Sequence, residues 1–158
     1  MKFVKSIRSI AFFSEKADQK HWESEWNKNE DWVKKNTPNA SSLSRTIRLI
    51  RSVSSKTDKI LEAGCGMGQF VYWLEANGYN CTGIDYAEET VAKINTAYPN
   101  LDVKVMDVFN MDKIKDVSYD VYYSGGVIEH FVNGYDGIIN EAKRVLKPKG
   151  RLVLTFPF

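Results

Sequence analysis

Three glycines at alternating positions follow an acid at the end of an apolar run, in the stretch ILEAGCGMGQF (residues 60–70). These four residues are Glu62, Gly64, Gly66 and Gly68. Because glycine has no Cβ, the backbone there can turn tightly and can also touch a ligand directly. A turn without a ligand is the simpler interpretation, but three alternating glycines exceed what such a turn needs. The stretch therefore predicts a ligand-binding turn.

The spacing of these glycines differs from that of a dinucleotide-binding turn, which reads GxGxxG. Here the third glycine arrives one residue early, and Gln69 occupies the position of the last glycine in that pattern. The spacing disfavours an NAD-dependent oxidoreductase, which stays open as a lesser alternative.

Acids also end the next two predicted strands. Asp85 follows Gly68 by 17 residues, and its two carboxylate oxygens could accept hydrogen bonds from both hydroxyls of a ribose. Capping of the following helix is the alternative for Asp85. Asp107 could accept from an adenine amino group or could simply face solvent. Each acid is ambiguous alone, but together they favour a nucleoside-like ligand.

A second glycine-containing stretch, YYSGGVIEHF (residues 122–131), closes the fourth predicted strand. Ser124, Gly125 and Gly126 allow close approach to the backbone. His130 is placed to line the same pocket.

Strands and helices alternate after residue 57, which predicts an α/β fold with a parallel sheet and helices on both faces. Ligands of such sheets bind beyond the carboxyl ends of the strands, where the candidate residues fall. The predicted strands are residues 59–63, 81–85, 101–107, 119–124 and 151–156, and the predicted helices are 68–77, 87–98 and 135–146. Gly78 is expected to be the C-cap of the first of these helices, and residues 147–150 are expected to form the turn before the last strand.

Residues 1–56 are predicted to form an N-terminal helical cap or lid region, and residues 57–158 the core domain. Trp22 and Trp26 are spaced to share one helix face. Pro38 is expected to end a helix, and Ser41 or Ser42 to cap the next one.

That next helix is predicted to bury Leu43, Ile47 and Ile50, which lie on one face. The opposite stripe of Arg45, Arg48 and Arg51 is interpreted as a solvated surface.

The stretches ILEAGCGMGQF, CTGIDYAEET, LDVKVMDVFN, YDVYYSGGVIEHF and EAKRVLKPKGRLVLTFP together resemble the class I S-adenosylmethionine-dependent methyltransferases in order and interval. The resemblance covers about residues 57–158. It implies a Rossmann-like three-layer parallel sheet with helices on both faces, ordered 3-2-1-4-5-7-6 in the family, here without the sixth and seventh strands. VIEHF and RVLKPKGRLVL look most like the branch that methylates small molecules, including quinone-like and lipid-like metabolites.

The resemblance implies a role for each candidate residue. Turn residues would face the methionine portion of S-adenosyl-L-methionine, Glu62 would hold its amino end, and Asp85 would bind the ribose. The turn residues are Gly64, Cys65, Gly66 and Gly68. Tyr86 would lie against the adenine, Asp107 would bind its amino group, and the Val108 N–H would reach a ring nitrogen. Ser124 and Gly125 would offer carbonyls near the reactive methyl, and His130 is the candidate catalytic base, with a structural role as its alternative.

The implied reaction is methyl transfer to a small-molecule acceptor by in-line displacement, leaving S-adenosyl-L-homocysteine. Since the sulfonium is already activated, the chain mainly has to position the reactants. A non-catalytic module or fragment that binds cofactor or product is the alternative from another class. The sequence lacks the motifs of the methylases that act on base nitrogens or on cytosine C5. Glu129 and Asp136 alone are weak evidence for a metal site, so no metal is expected.

The composition limits the classes of binding partner and the cellular compartment that we expect. A formal net charge of +2, from 22 basic and 20 acidic residues, gives no field that would attract nucleic acid or an anionic membrane. The two cysteines, Cys65 and Cys81, have no disulfide or zinc spacing, so a reducing cytoplasm is expected. No stretch approaches the ~18 apolar residues of a membrane span.

The sequence stops just after the fifth predicted strand, which would leave apolar residues along a sheet edge. These residues are Leu152, Val153, Leu154 and Phe156. We expect either a fragment of a longer protein or a homodimer or larger assembly that covers this edge.

Overall fold

The described residues of the N-terminal part form two short strands and two helices. In the computed structural model, which describes residues 2–4, 9–11, 19–27, 45–131 and 134–156, β1 (Lys2–Val4) and β2 (Ser9–Ala11) pair antiparallel. They are followed by α1 (Gln19–Asn27) and α2 (Arg45–Val53). The two strands were not predicted, because charged and hydroxyl residues interrupt the apolar pattern there. Pro38, Ser41, Ser42 and Leu43 lie outside the described residues.

A five-stranded parallel sheet forms the centre of the fold. Its strands are β3 (Lys59–Ala63), β4 (Asn80–Asp85), β5 (Asp102–Val105), β6 (Tyr119–Gly125) and β7 (Leu146–Thr155). Their order is β5-β4-β3-β6-β7, and each neighbouring pair is parallel. The strand order thus reverses between β3 and β6, as predicted, and the glycine turn follows β3 at that reversal.

Helices cover both faces of the sheet and bury its alternating side chains. The helices α3 (Gln69–Ala76) and α4 (Glu88–Ala97) join α2 on the face that contains Ile60, whereas α5 (Asp136–Val145) packs on the face that contains Leu61. Ile47 and Ile50 of α2 are fully buried, and the arginine stripe of that helix is exposed, both as predicted.

The connection from β5 to β6 is held by one side chain of α5 instead of by a helix of its own. Arg144 donates to the carbonyl oxygens of Met111 and Ile114 at 2.7 and 2.8 Å, and to the carboxylates of Asp116 and Glu141 at 2.7 Å. A guanidinium suits this task because its five N–H groups form a rigid fork.

Several predicted boundaries were wrong in detail. Asn77 is the C-cap of α3, and Gly78 follows it with φ 78°, where glycine commonly ends a helix. The strand predicted to reach Asp107 ends at Val105, because the chain turns there. The turn predicted over residues 147–150 is an irregularity within β7, opposite the step from Tyr119 to Val121.

The last strand is less exposed than its edge position suggested. Val153 is buried on the sheet face that contains Ile60, and Leu154 packs on the face that contains Leu61. Leu152 and Phe156 are exposed. Among the described helices, none is both long and apolar enough to cross a bilayer.

Candidate functional site

The glycine turn joins β3 to α3 and has a left-handed backbone. Gly64 and Gly66 have φ values of 77° and 52°, and Gly68 caps the N-terminus of α3. The Gly64 and Cys65 N–H groups donate to the carbonyl of Ile84 at 2.8 and 2.9 Å, which fixes the turn to the end of β4. Residues that have a side chain rarely adopt these φ values, so glycine is required here independently of any ligand.

Protein side chains, in addition, lie close to two of the glycines. The side chain of Val127 occupies the place where a Cβ of Gly64 would point, and the Trp26 indole lies 2.8 Å from a Cβ built on Gly66. The sequence predicted that the missing Cβ atoms allow a tight turn and the direct approach of a ligand. In this structure they also admit Val127 and Trp26, which come from distant parts of the chain.

Asp85 ends β4 and reaches back to the glycine turn. Its Oδ2 accepts from the Gly66 N–H at 2.8 Å and its Oδ1 from the Ala87 N–H at 3.0 Å. The side chain is buried, and burial raises its pKa, while N–H groups of Ala87, Gly66 and Tyr86 oppose that shift. The Ala87 N–H lies before the first turn of α4, and no side-chain hydrogen bond that caps this helix is described, so the predicted capping alternative is not observed. Lone pairs of both carboxylate oxygens are left for a further donor.

Glu62 is the most deeply placed acid of the site. Only 3% of Glu62 is exposed, and its Oε2 has no hydrogen-bond partner among the described residues. Burial raises its pKa well above the usual value, the charge of Asp85 adds to that rise, and the backbone N–H of Val71 opposes it. An unpartnered buried oxygen costs free energy unless a ligand binds it.

The end of β6 is tied to the end of β3. The Ser124 hydroxyl donates to the carbonyl of Ala63 at 2.8 Å and is buried. A side chain at Gly125 would collide with the Tyr123 hydroxyl, which lies 3.3 Å from the Thr155 hydroxyl. Ser124 and Gly125 therefore occupy the predicted place at the carboxyl end of the sheet, beside Glu62.

A short 3-10 helix over Ile128–His130 follows β6 and carries two polar residues. The His130 ring packs edge-on against Trp22, with centroids 4.8 Å apart at 83°. Glu129 has a buried Oε2 without a hydrogen-bond partner in the described structure. From the sequence, His130 was the candidate pocket residue, whereas its neighbour Glu129 was considered only as a weak metal ligand; the available signal was an acid beside a predicted pocket residue.

Asp107 and Val108 lie in the turn after β5. Asp107 is exposed and accepts from the Phe109 N–H at 2.9 Å, whereas Val108 is buried. Tyr86, partly exposed, follows Asp85 at the end of the neighbouring strand. These three predicted residues thus lie on the β4–β5 side of the glycine turn.

The Cys65 thiol faces the core, so only the backbone of this predicted residue is available to a ligand. Its Sγ lies 3.0 Å from a Cβ built on Gly83. Burial raises the pKa of both thiols, Cys65 and Cys81, well above the ordinary range. Neither cysteine is a candidate nucleophile.

A groove of about 850 Å³ lies elsewhere, along β5 and the first residues of the neighbouring strands. Its lining includes Lys59, Asn80, Asp102, Lys104 and Tyr119. It contains none of the residues predicted to bind a ligand, so the groove and the glycine-turn site are separate.

The geometry at the carboxyl end of the sheet suits a cationic ligand with hydroxyl groups. Glu62 and Glu129 each present a carboxylate oxygen that no described residue pairs with, and Asp85 can accept further hydrogen bonds. In the described part of the chain, no three His, Cys, Asp or Glu side chains converge as metal ligands.

Residues 61–154, more than half of the chain, match the family model described as a methyltransferase domain. The chain therefore belongs to this methyltransferase-domain family. A Mycolicibacterium smegmatis protein named as a probable S-adenosylmethionine-dependent methyltransferase is 33% identical over 98 residues, covering 62% of this chain and 37% of that protein. The 27-O-demethylrifamycin SV methyltransferase of Amycolatopsis mediterranei is 33% identical over 103 residues, covering 61% and 38%.

A solved structure shares the fold. The crystal structure of the PH0226 protein from Pyrococcus horikoshii OT3 superposes with a TM-score of 0.71 at 24% identity, covering 84% of this chain and 65% of that one. The chain spans a little over a third of the length of the curated relatives described above.

Proposed function

We propose that this chain is the cofactor-binding part of an S-adenosyl-L-methionine-dependent methyltransferase that transfers a methyl group to a small-molecule acceptor by in-line displacement. One observation carries the proposal: Glu62 places a buried carboxylate oxygen, which has no partner among the described residues, at the strand-order reversal, directly before a left-handed glycine turn. A ligand with an ammonium group would satisfy that oxygen, since a buried charge is tolerated when it is paired. The residues present therefore fit this cofactor.

Each predicted residue has a task in this proposal. Glu62 would accept from the ammonium, and the backbone of Gly64, Cys65, Gly66 and Gly68 would lie along the methionine portion. Asp85 would accept from the ribose hydroxyls with the lone pairs that Gly66 and Ala87 leave free. Tyr86, Asp107 and Val108 would contact the adenine, and the carbonyls of Ser124 and Gly125 would lie near the methyl.

When bound, the cofactor supplies a methyl group already activated by its sulfonium. The chain then has to hold the acceptor in line and exclude water, and a base is needed only where the acceptor must lose a proton. His130 was the predicted candidate for that base. Its edge-on contact with Trp22 favours a packing role, because the contact uses the ring to anchor α1.

A small-molecule acceptor is supported by the name of the Amycolatopsis relative, which states a rifamycin as its substrate.

We also propose a homodimer or larger assembly in which the β7 edge is covered, since Leu152 and Phe156 are exposed. The free, buried cysteines support a reducing, cytoplasmic location.

Calorimetric titration with S-adenosyl-L-homocysteine tests the proposal. The wild type should bind in the micromolar range, and Glu62→Gln should weaken binding on the order of tenfold or more, since a charge-assisted hydrogen bond is worth about 1.5–3 kcal/mol. Asp112→Asn is the matched control, because Asp112 is exposed and remote from the turn in sequence. A folded wild type that binds NAD instead, or binds neither, would contradict the proposal. Binding without methyl transfer to any acceptor would favour the non-catalytic alternative.

A further inference from the structure

Glu129 carries a carboxylate that the cofactor contacts proposed above do not use. Its Oε2 is buried and has no hydrogen-bond partner among the described residues, although the rest of the residue is partly exposed. Its Oε1 lies 3.6 Å from a Cβ built on Gly126, directly after β6. A carboxylate oxygen kept from water without a donor is costly, so a donor from a ligand would stabilise it.

The neighbours of Glu129 place it on the β6–β7 side of the turn. Burial raises the pKa of Tyr123 to about 12, and the charges of Glu62 and Glu129 add to that rise, so both acids lie near this hydroxyl. Tyr123 stays protonated near neutral pH and shares a hydrogen bond with Thr155 at 3.3 Å. Asp85, in contrast, ends β4, and Asp107 follows β5. The acids thus lie on two sides of the glycine turn, with Glu62 between them. Glu129 is on the β6–β7 side, and Asp85 and Asp107 are on the β4–β5 side.

Aromatic side chains adjoin the Glu129 side. Trp22 packs edge-on against His130, the residue next to Glu129, and stacks on Trp26 with centroids 5.6 Å apart at 22°. The Trp26 ring in turn lies against Gly66. The two indoles therefore lie between the glycine turn and His130, the residue next to Glu129.

We propose that Glu129 binds the methyl acceptor, accepting a hydrogen bond from a hydroxyl carried on an aromatic ring, with Trp22 and Trp26 providing the apolar contact for that ring. This inference rests on the proposed function, because it assigns the acceptor side of the same site. It names a phenolic acceptor: the unpartnered oxygen requires a donor, and the adjacent indoles favour a planar apolar body, which they contact by stacking or edge-on packing.

Phenol and anisole form a matched pair of probes, since anisole replaces the hydroxyl hydrogen by a methyl group and cannot donate. Ligand-observed NMR titrations on the chain saturated with S-adenosyl-L-homocysteine measure the affinity of each probe. Wild type should prefer phenol by about tenfold or more, and Glu129→Gln should reduce that preference at least severalfold. Glu89→Gln is the control, because Glu89 is an exposed acid in the first turn of α4.

The affinity of each variant for S-adenosyl-L-homocysteine is measured first, together with its thermal midpoint, so that a folding defect is recognised. Equal affinities for phenol and anisole in wild type, or a preference that survives Glu129→Gln, would overturn the acceptor assignment while leaving cofactor binding intact. Failure of wild type to bind S-adenosyl-L-homocysteine would overturn the proposed function and this inference together. A preference retained in Glu89→Gln and lost in Glu129→Gln is the expected result.

Discussion

Asp85 holds the glycine turn in place: its carboxylate accepts the Gly66 N–H at 2.8 Å while its other oxygen accepts the Ala87 N–H at 3.0 Å. The acid at the end of β4 therefore links the turn after β3 to the start of α4. These two hydrogen bonds fix the position of the turn relative to α4.

We expect Asp85→Asn to destabilise the fold as well as to weaken ligand binding. An asparagine can offer only one acceptor oxygen, so its NH₂ group would face one of the two backbone donors. The loss should be about 1–3 kcal/mol in the free energy of unfolding, measured by urea denaturation without ligand. Asp112→Asn should change little, and equal stability of the two variants would show that the Asp85 bonds do not support the turn.

Glu62 should make the stability of wild type fall as pH rises. Its folded-state pKa is raised above the ordinary 4.5, so above that pH the folded chain keeps a proton that the unfolded chain has lost. The free energy of unfolding then falls between pH 4.5 and the raised pKa of Glu62, by about 1.4 kcal/mol for each pH unit between these two values. Between about pH 5 and about pH 8, the urea midpoint should fall less steeply in Glu62→Gln than in wild type. Parallel pH profiles of the two proteins would contradict the raised pKa, since the Asp85 shift is common to both.

Gly66 should be sensitive to substitution for two separable reasons. An alanine there meets both a left-handed φ of 52° and the Trp26 ring at 2.8 Å. Gly68→Ala meets only the left-handed φ, since its nearest contact is an ordinary 3.5 Å to Ile94. The strain alone costs roughly 1–2 kcal/mol, so Gly66→Ala should cost more than Gly68→Ala.

Trp26→Ala should recover that excess in the double variant with Gly66→Ala. A double-mutant cycle on unfolding free energies measures the coupling between the two positions. Strict additivity would mean that the indole does not restrict Gly66.

Arg144→Lys should loosen the connection between β5 and β6. A lysine cannot reach the two carbonyl groups and two carboxylates that the guanidinium binds at once. We expect a loss of about 1–2 kcal/mol in the free energy of unfolding, at the lower end for hydrogen bonds because the side chain is 28% exposed. Arg48→Lys, on the exposed stripe of α2, serves as the control and should be neutral. Comparable stability of both variants would contradict the anchoring role.

The parts of the fold that depend on local pattern could be predicted from the sequence. The alternation of apolar strands and amphipathic helices gave β3 and β4 to within one residue, and with them the positions of Glu62 and Asp85 at the carboxyl ends. The order of the strands followed from the family resemblance, and the structure confirms it.

The contacts that depend on distant residues could not be predicted in this way. Arg144 reaches the Met111 carbonyl across 33 positions, and nothing in either local stretch indicates the pair. The same is true of Trp26 against Gly66, where the glycine pattern predicted the close approach of a ligand and nothing local indicated an indole. Glu129 was considered only as a weak metal ligand, because an unpartnered oxygen is a property of packing in three dimensions.

Backbone amide NMR of the ¹⁵N-labelled chain tests whether S-adenosyl-L-homocysteine binds at the glycine turn. The product should shift the amide resonances of Gly64, Gly66, Gly68 and Asp85. The amides of Lys59, Lys104 and Tyr119, which line the separate groove along β5, should stay unchanged. Shifts confined to that groove, or no shifts at all in a folded chain, would contradict binding at the glycine turn.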